Sequence, residues 1–156
     1  MTQPDELHLR RAIELARRAR ENGNHPFGAL LVDAAGEVVL EAENTVVTER
    51  DCTNHAELNL VRAASRRFDE ATLGGCALYA STEPCAMCAG AIYWSGIGRV
   101  VFALSGAALN AMVEGGEEAE LTLPCREVFS RGGRAIDVRG PYLETEARAV
   151  HEGFWG

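Results

Sequence analysis

Cys85 and Cys88 stand three positions apart behind a proline in Ser81–Trp94, STEPCAMCAGAIYW. A Pro-Cys-x-x-Cys suits a redox couple, half of a zinc site, or a chance of composition. The choice depends on partners elsewhere in the chain. Upstream, Asn54-His55-Ala56-Glu57-Leu58 supplies an imidazole and a carboxylate. A neutral imidazole and two thiolates make three ligands for a tetrahedral zinc ion, with a fourth position open to water. Glu57 then has a separate task, taking the water's proton and passing it to a leaving amine. Zinc favours this by lowering the water pKa toward neutrality. In an ideal helix, His55 and Glu57 diverge by about 200°. The pairing therefore needs a frayed first turn.

The remaining cysteines fit plainer roles. Cys52 is a weak candidate for a fourth ligand that would make the site structural, and Cys76 and Cys125 read as small buried apolar residues. Five cysteines in 156 residues is an odd, sparse set. It does not suit a disulfide framework and agrees with a reducing, cytoplasmic location. Met1 to Arg20 holds no apolar core of a secretory signal, and no apolar run approaches bilayer length. The formal net charge of −8 argues against a nucleic-acid partner. A small neutral substrate fits it better.

The elements that must position these residues form one α/β domain. Glu6–Arg20 reads as a helix with Leu7, Ile13, Leu15, Ala16 and Ala19 on its apolar stripe. Its arginines read as solvated faces. Phe27–Val47 reads as a hairpin about Asp33-Ala-Ala-Gly36. Asn54–Phe68 reads as a helix with Asn54 as N-cap. Cys76–Ala80 reads as a buried strand. A helix from Pro84, placed in its first position, runs to Ser95. Arg99–Leu104 and Ala135–Val138 are further strands, and Glu144–Trp155 a closing helix. Ser105–Leu123, with Gly115-Gly116 and the acids Glu114, Glu117, Glu118 and Glu120, has no clear reading. The expected fold is a three-layer α/β/α sandwich on a mixed five-stranded sheet. Its hairpin is antiparallel and its later strands parallel.

An activated water, a proton shuttle and a planar amidine-like substrate are what hydrolytic deamination needs. His-x-Glu followed by Pro-Cys-x-x-Cys is a signature of zinc nucleobase deaminases. With HPFGALLVD (25–33), Asn44, NHAEL (54–58), TEPCAMCAGAIYW (82–94) and RVVF (99–102), the chain resembles the cytidine-deaminase-like superfamily over most of its length. Ala-Ile-Tyr-Trp after the second cysteine makes it more similar to bacterial guanine and nucleoside deaminases than to small cytidine deaminases.

The resemblance implies roles. His55, Cys85 and Cys88 hold one zinc ion, and Glu57 shuttles protons. Asn44 hydrogen-bonds the substrate base. Phe27, with the backbone at Gly28 and Ala29, forms a pocket wall, and Trp94 lies near the base. Apart from the resemblance, His25 before Pro26 suits either a substrate contact or a loop hydrogen bond. Glu144 or Glu146 supplies a second acid from a C-terminal segment over the site. A homodimer is also implied. The expected reaction is hydrolytic deamination of a guanine-type base or nucleoside. The alternatives are a tRNA adenosine deaminase, a deaminase of cytosine or triazine amines, and a non-catalytic domain of the same fold. The last is disfavoured because the glutamate and all three ligands are intact.

Overall fold

A computed structural model describes residues 1–113 and 121–155. Glu114, Gly115, Gly116, Glu117, Glu118 and Glu120 lie outside the described residues. The chain opens with α1 (Gln3–Glu21), capped by a reciprocal Thr2–Asp5 capping box. β1 (Gly28–Val32) and β2 (Val38–Glu43) follow, then α2 (Ala56–Arg67), α3 (Glu70–Gly74), β3 (Ala77–Thr82) and α4 (Ala86–Ser95). β4 (Arg99–Leu104), α5 (Gly106–Val113), α6 (Cys125–Ser130), β5 (Asp137–Arg139) and α7 (Glu144–Ala149) complete it.

The sheet order is β2-β1-β3-β4-β5. β1 pairs antiparallel with both β2 and β3, while β3–β4 and β4–β5 are parallel. The expected mixed sheet is present. Side-chain alternation builds the three layers. Ala29, Leu31, Leu78, Ala80, Val100 and Phe102 point to one face, where Leu60 of α2, Leu73 of α3, Ile92 of α4 and Phe129 of α6 cover them. Leu30, Val32, Tyr79, Val101 and Ala103 point to the other, under Leu9, Ala12 and Leu15 of α1 and Ala147 of α7. Burying each large aliphatic side chain contributes roughly 1.5–3 kcal/mol.

Several expected boundaries shift. Leu7 is exposed and Leu9 takes its place in the core. The N-cap of α2 is His55, not Asn54, whose side chain instead donates to Glu49. Pro84 precedes the cap of α4, which is Cys85, and so lies outside the first helical position. β5 starts at Asp137 rather than Ala135, and the closing helix ends at Ala149, followed by turns. The short helices α3, α5 and α6 carry too few turns to print a periodicity.

This topology gathers one edge. The carboxyl ends of β2, β3 and β4 all emerge there, and the antiparallel β1 begins there. Asn44, Phe27, the Thr82–Cys85 turn and Ser105 therefore converge along it, where ligands bind in open α/β sheets.

Candidate active site

Two helix starts meet at this edge. His55 caps α2 with extended backbone (φ −64°, ψ 153°), and Cys85 caps α4 likewise (φ −68°, ψ 173°). Neither side chain makes a capping hydrogen bond. Both are turned to other work. His55 is the cap before the helix, so the 200° divergence does not apply; an ordinary N-cap stands where a frayed first turn was expected. Glu57, in the first turn, faces the same cluster, bonded to Cys88.

His55 Nδ1 lies 3.6 Å from Cys85 Sγ and 3.5 Å from Cys88 Sγ. All three donor atoms fall within 4.8 Å of one another. Metal–nitrogen and metal–sulfur bonds of zinc, set at tetrahedral angles, place N and S about 3.6 Å apart. The donor set thus fits zinc in chemistry and in spacing, with three protein ligands rather than four. Cys52 is exposed and outside this group, while Cys76 and Cys125 are buried as expected.

The electrostatics follow from burial and mutual contact. Hydrogen bonds from Cys88 and His55 draw the Cys85 thiol down to about 4. Cys88 goes well above its ordinary value, because it donates to Cys85 and is buried. The bond to Cys85 raises His55. Burial, reinforced by the Cys85 charge, pushes Glu57 up to about 7. Such opposed shifts within one cluster are typical of chemical sites. Helix N-termini add partial positive charge beside the sulfur atoms.

Around this centre, Asn44 is buried, and its Oδ1 accepts from the Val46 N–H at 3.0 Å. The Gly28 N–H donates to Ser81 Oγ at 3.1 Å. A Cβ on Gly28 would lie 2.5 Å from the Ala12 carbonyl oxygen and 2.6 Å from the Ala16 nitrogen. Only glycine lets β1 enter so close under α1. Ala29 follows it, fully buried and paired with Ala80.

The two C-terminal glutamates separate. Glu146 is exposed and forms two hydrogen bonds of 3.0 Å with Arg10. Glu144 Oε2 faces Ser105, 3.5 Å from its N and 3.4 Å from its Oγ, at the carboxyl end of β4. Trp94 is 81% exposed on α4, edge-on to Tyr93. In the single chain it stands at the surface.

The turns after α7 bring an aromatic cluster against Phe27 and His25. Phe27 meets His151 at 5.4 Å and Trp155 at 6.1 Å between ring centroids. His25 meets Phe154 and Trp155 at 5.8 and 5.7 Å. Arg20 ties this turn to α1, donating to the carbonyls of Val150 (2.9 Å) and Glu152 (2.7 Å). Trp155 Nε1–H donates to His151 Nδ1 at 3.0 Å, which leaves the imidazole proton on a buried Nε2 with no partner among the described residues. No periodic pattern marks these residues. Their density of rings after a short helix is the only signal in the sequence.

Residues 2–104 match the family of the cytidine and deoxycytidylate deaminase zinc-binding region. The chain belongs to this family. It is a hydrolytic deaminase of the zinc type. A probable cytosine deaminase of Schizosaccharomyces pombe is 41% identical over 99% of this chain and 94% of its own. A tRNA-specific adenosine deaminase of Bacillus subtilis is 42% identical over 65% of this chain and 62% of its own. A solved guanine deaminase from Nitrosomonas europaea superposes with a TM-score of 0.75 at 26% identity, covering 96% of this chain and 83% of that one. No helix among the described residues is long and apolar enough to cross a membrane.

Proposed function

We propose that this deaminase removes the amine of a free nucleobase or nucleoside of guanine type, with one zinc ion held by His55, Cys85 and Cys88. The observation that carries the reading is the placement of Glu144 at Ser105, at the same sheet edge as Glu57 and the three ligands. A guanine ring offers several polar edges, and a second carboxylate at this edge can hold one of them. Likeness to the Nitrosomonas guanine deaminase supports the same substrate.

The zinc ion, when bound, makes a water molecule acidic enough to act near neutral pH. Glu57 takes one proton from water and delivers it to the ring nitrogen beside the amine-bearing carbon as the water oxygen bonds to that carbon. Glu57 then moves the remaining hydroxyl proton to the amine; the C–N bond breaks, ammonia leaves and the C–O bond becomes the carbonyl of the keto base. Asn44 orients the base through its side-chain amide, and Phe27 packs on the ring with the backbone of Gly28 and Ala29. His25 and the His151–Trp155 turn exclude bulk water. A homodimer that uses Trp94 as part of a shared wall belongs to the same proposal, and sedimentation velocity tests it.

Cytosine is the second reading, favoured by the 41% identical relative along the whole chain. Against tRNA stands the engagement of the α1 arginines. Arg10 pairs with Glu6 and Glu146, Arg11 with Glu41, Arg17 with Glu14 and Arg18 with Glu43. Phosphates would have to displace these acids. Ammonia release from guanine and cytosine, with a gel shift on a tRNA anticodon stem-loop, tests the reading. Release from guanine without a shift supports it, and a shift with no release from either base contradicts it.

A further inference from the structure

Glu83 sits between the end of β3 and the Pro84-Cys85 turn, and the chemistry above does not use it. Its backbone N–H donates to the Leu104 carbonyl at 2.7 Å. Its carboxylate accepts two backbone donors, the Gly106 N–H at Oε1 and the Cys125 N–H at Oε2, each at 3.0 Å. Gly106 opens α5, and Cys125 opens α6. First-turn N–H groups have no acceptor inside their own helix. Pro124, which precedes α6, has no side-chain acceptor, and Ser105 Oγ already accepts from Ala108 N–H. One carboxylate therefore caps two helices, 23 and 42 residues away along the chain.

The same residue stands two positions before a metal ligand. Pro84 between them has a locked φ, so a displacement at Glu83 passes to Cys85 with little slack. On its other side, Gly106 adjoins Ser105, which faces Glu144. Glu83 thus joins the ligand turn to the wall that carries the second acid. Its bonds are charge-assisted and lie at helix N-termini, where a carboxylate is favoured.

We propose that Glu83 is a positioning residue that fixes the Cys85 turn against the starts of α5 and α6. The protein's hold on zinc then depends on a carboxylate that does not touch the metal. The inference rests on the zinc reading above. A plain stabilising cap is the competing explanation, and the fold provides a control for it. Asp69 caps α3, accepting from Thr72 N–H at 2.8 Å, near the amino end of β3 and away from Cys85. Asp69→Ala removes a bond of the same kind without reaching the ligand turn.

The test follows zinc release from the loaded chain to a chromogenic chelator, alongside amide hydrogen exchange at Gly106 and Cys125. Glu83→Ala should release zinc about 10–100-fold faster, the range seen when groups behind metal ligands are lost. Both amides should lose protection. Glu83→Gln keeps one carbonyl oxygen, so one amide should stay protected and release should be intermediate. Asp69→Ala should match the wild type. If Glu83→Ala does not fold, Glu83→Gln decides on the same readings. Wild-type release from both Glu83 variants, or equal acceleration by Asp69→Ala, overturns the proposal. A wild-type chain that takes up no zinc overturns the zinc reading itself, and this one with it.

Discussion

His55 Nδ1 lies 3.5 Å from Cys88 Sγ, although 33 residues separate them in the chain. The contact exists because α2 and α4 start at one sheet edge, where His55 caps α2 and Cys88 lies in the first turn of α4. If these atoms hold zinc, Cys88→Ala should weaken zinc affinity by more than about 100-fold, beyond the usual effect of an outer partner. Zinc per chain after dialysis against a chelator measures this. Retention at wild-type stoichiometry would remove Cys88 from the ligand set.

The two C-terminal glutamates should differ sharply. Glu144→Gln removes a charged partner for a polar edge of the base and should lower kcat/KM by about 10–100-fold. Glu146→Gln breaks an exposed pair with Arg10 that solvent screens, and should leave kcat unchanged within about twofold. Steady-state kinetics of both variants check the assignment. Equal effects would contradict it.

Gly28→Ala forces a methyl into the backbone of α1, 2.5 Å from the Ala12 carbonyl oxygen. Neither β1 nor α1 can give way without moving the sheet. The expected cost is about 3 kcal/mol, or a melting temperature lower by on the order of 10 °C. Calorimetry of the zinc-free chain reads it.

Burial, with Arg20 nearby, lowers the His151 pKa to about 4. The unfolded value is higher, near 6.5. The unfolded chain therefore binds more protons between these values, so stability is full above about pH 6.5 and falls as pH drops toward 4. At pH 4.5 the loss from this group amounts to about 2.5 kcal/mol relative to pH 7. His151→Phe cannot titrate. Urea unfolding of both zinc-free proteins at the two pH values should show the wild type losing about that much more. Parallel losses would contradict it.

Much of the site was readable because its signals are local. His55-x-Glu57 and Pro84-Cys85-x-x-Cys88 lie within single turns, and the alternation that places Leu30 and Leu31 on opposite faces lies within one strand. What depended on distant partners was not readable. Asn54 is a good capping residue by type, yet α2 starts one residue later with His55 as its cap, and Asn54 Nδ2 donates to Glu49. Glu144 and Glu146 are equivalent in sequence, and only Arg10 on α1 and Ser105 after β4 tell them apart. Glu83 shows nothing in sequence, because both its donors lie in other elements. Leu7 is a different case: Leu9, Ala12, Ile13 and Ala16 share one helical face, whereas Leu7 is followed three and four positions on by Arg10 and Arg11 and stands off it.

If the proposed function holds, the zinc-loaded chain releases ammonia from a small base through Glu57. The most direct measurement is ammonia release from guanine, guanosine, 2′-deoxyguanosine, adenosine, cytosine, cytidine and ammeline, with Glu57→Ala as the blank. The wild type should turn over a guanine-type substrate. Glu57→Ala should lose about 10²–10⁴-fold with zinc retained, because proton transfer fails while the metal remains. Zinc-loaded protein that releases ammonia from none of these, or a Glu57→Ala variant that turns over like the wild type, would contradict the proposed function.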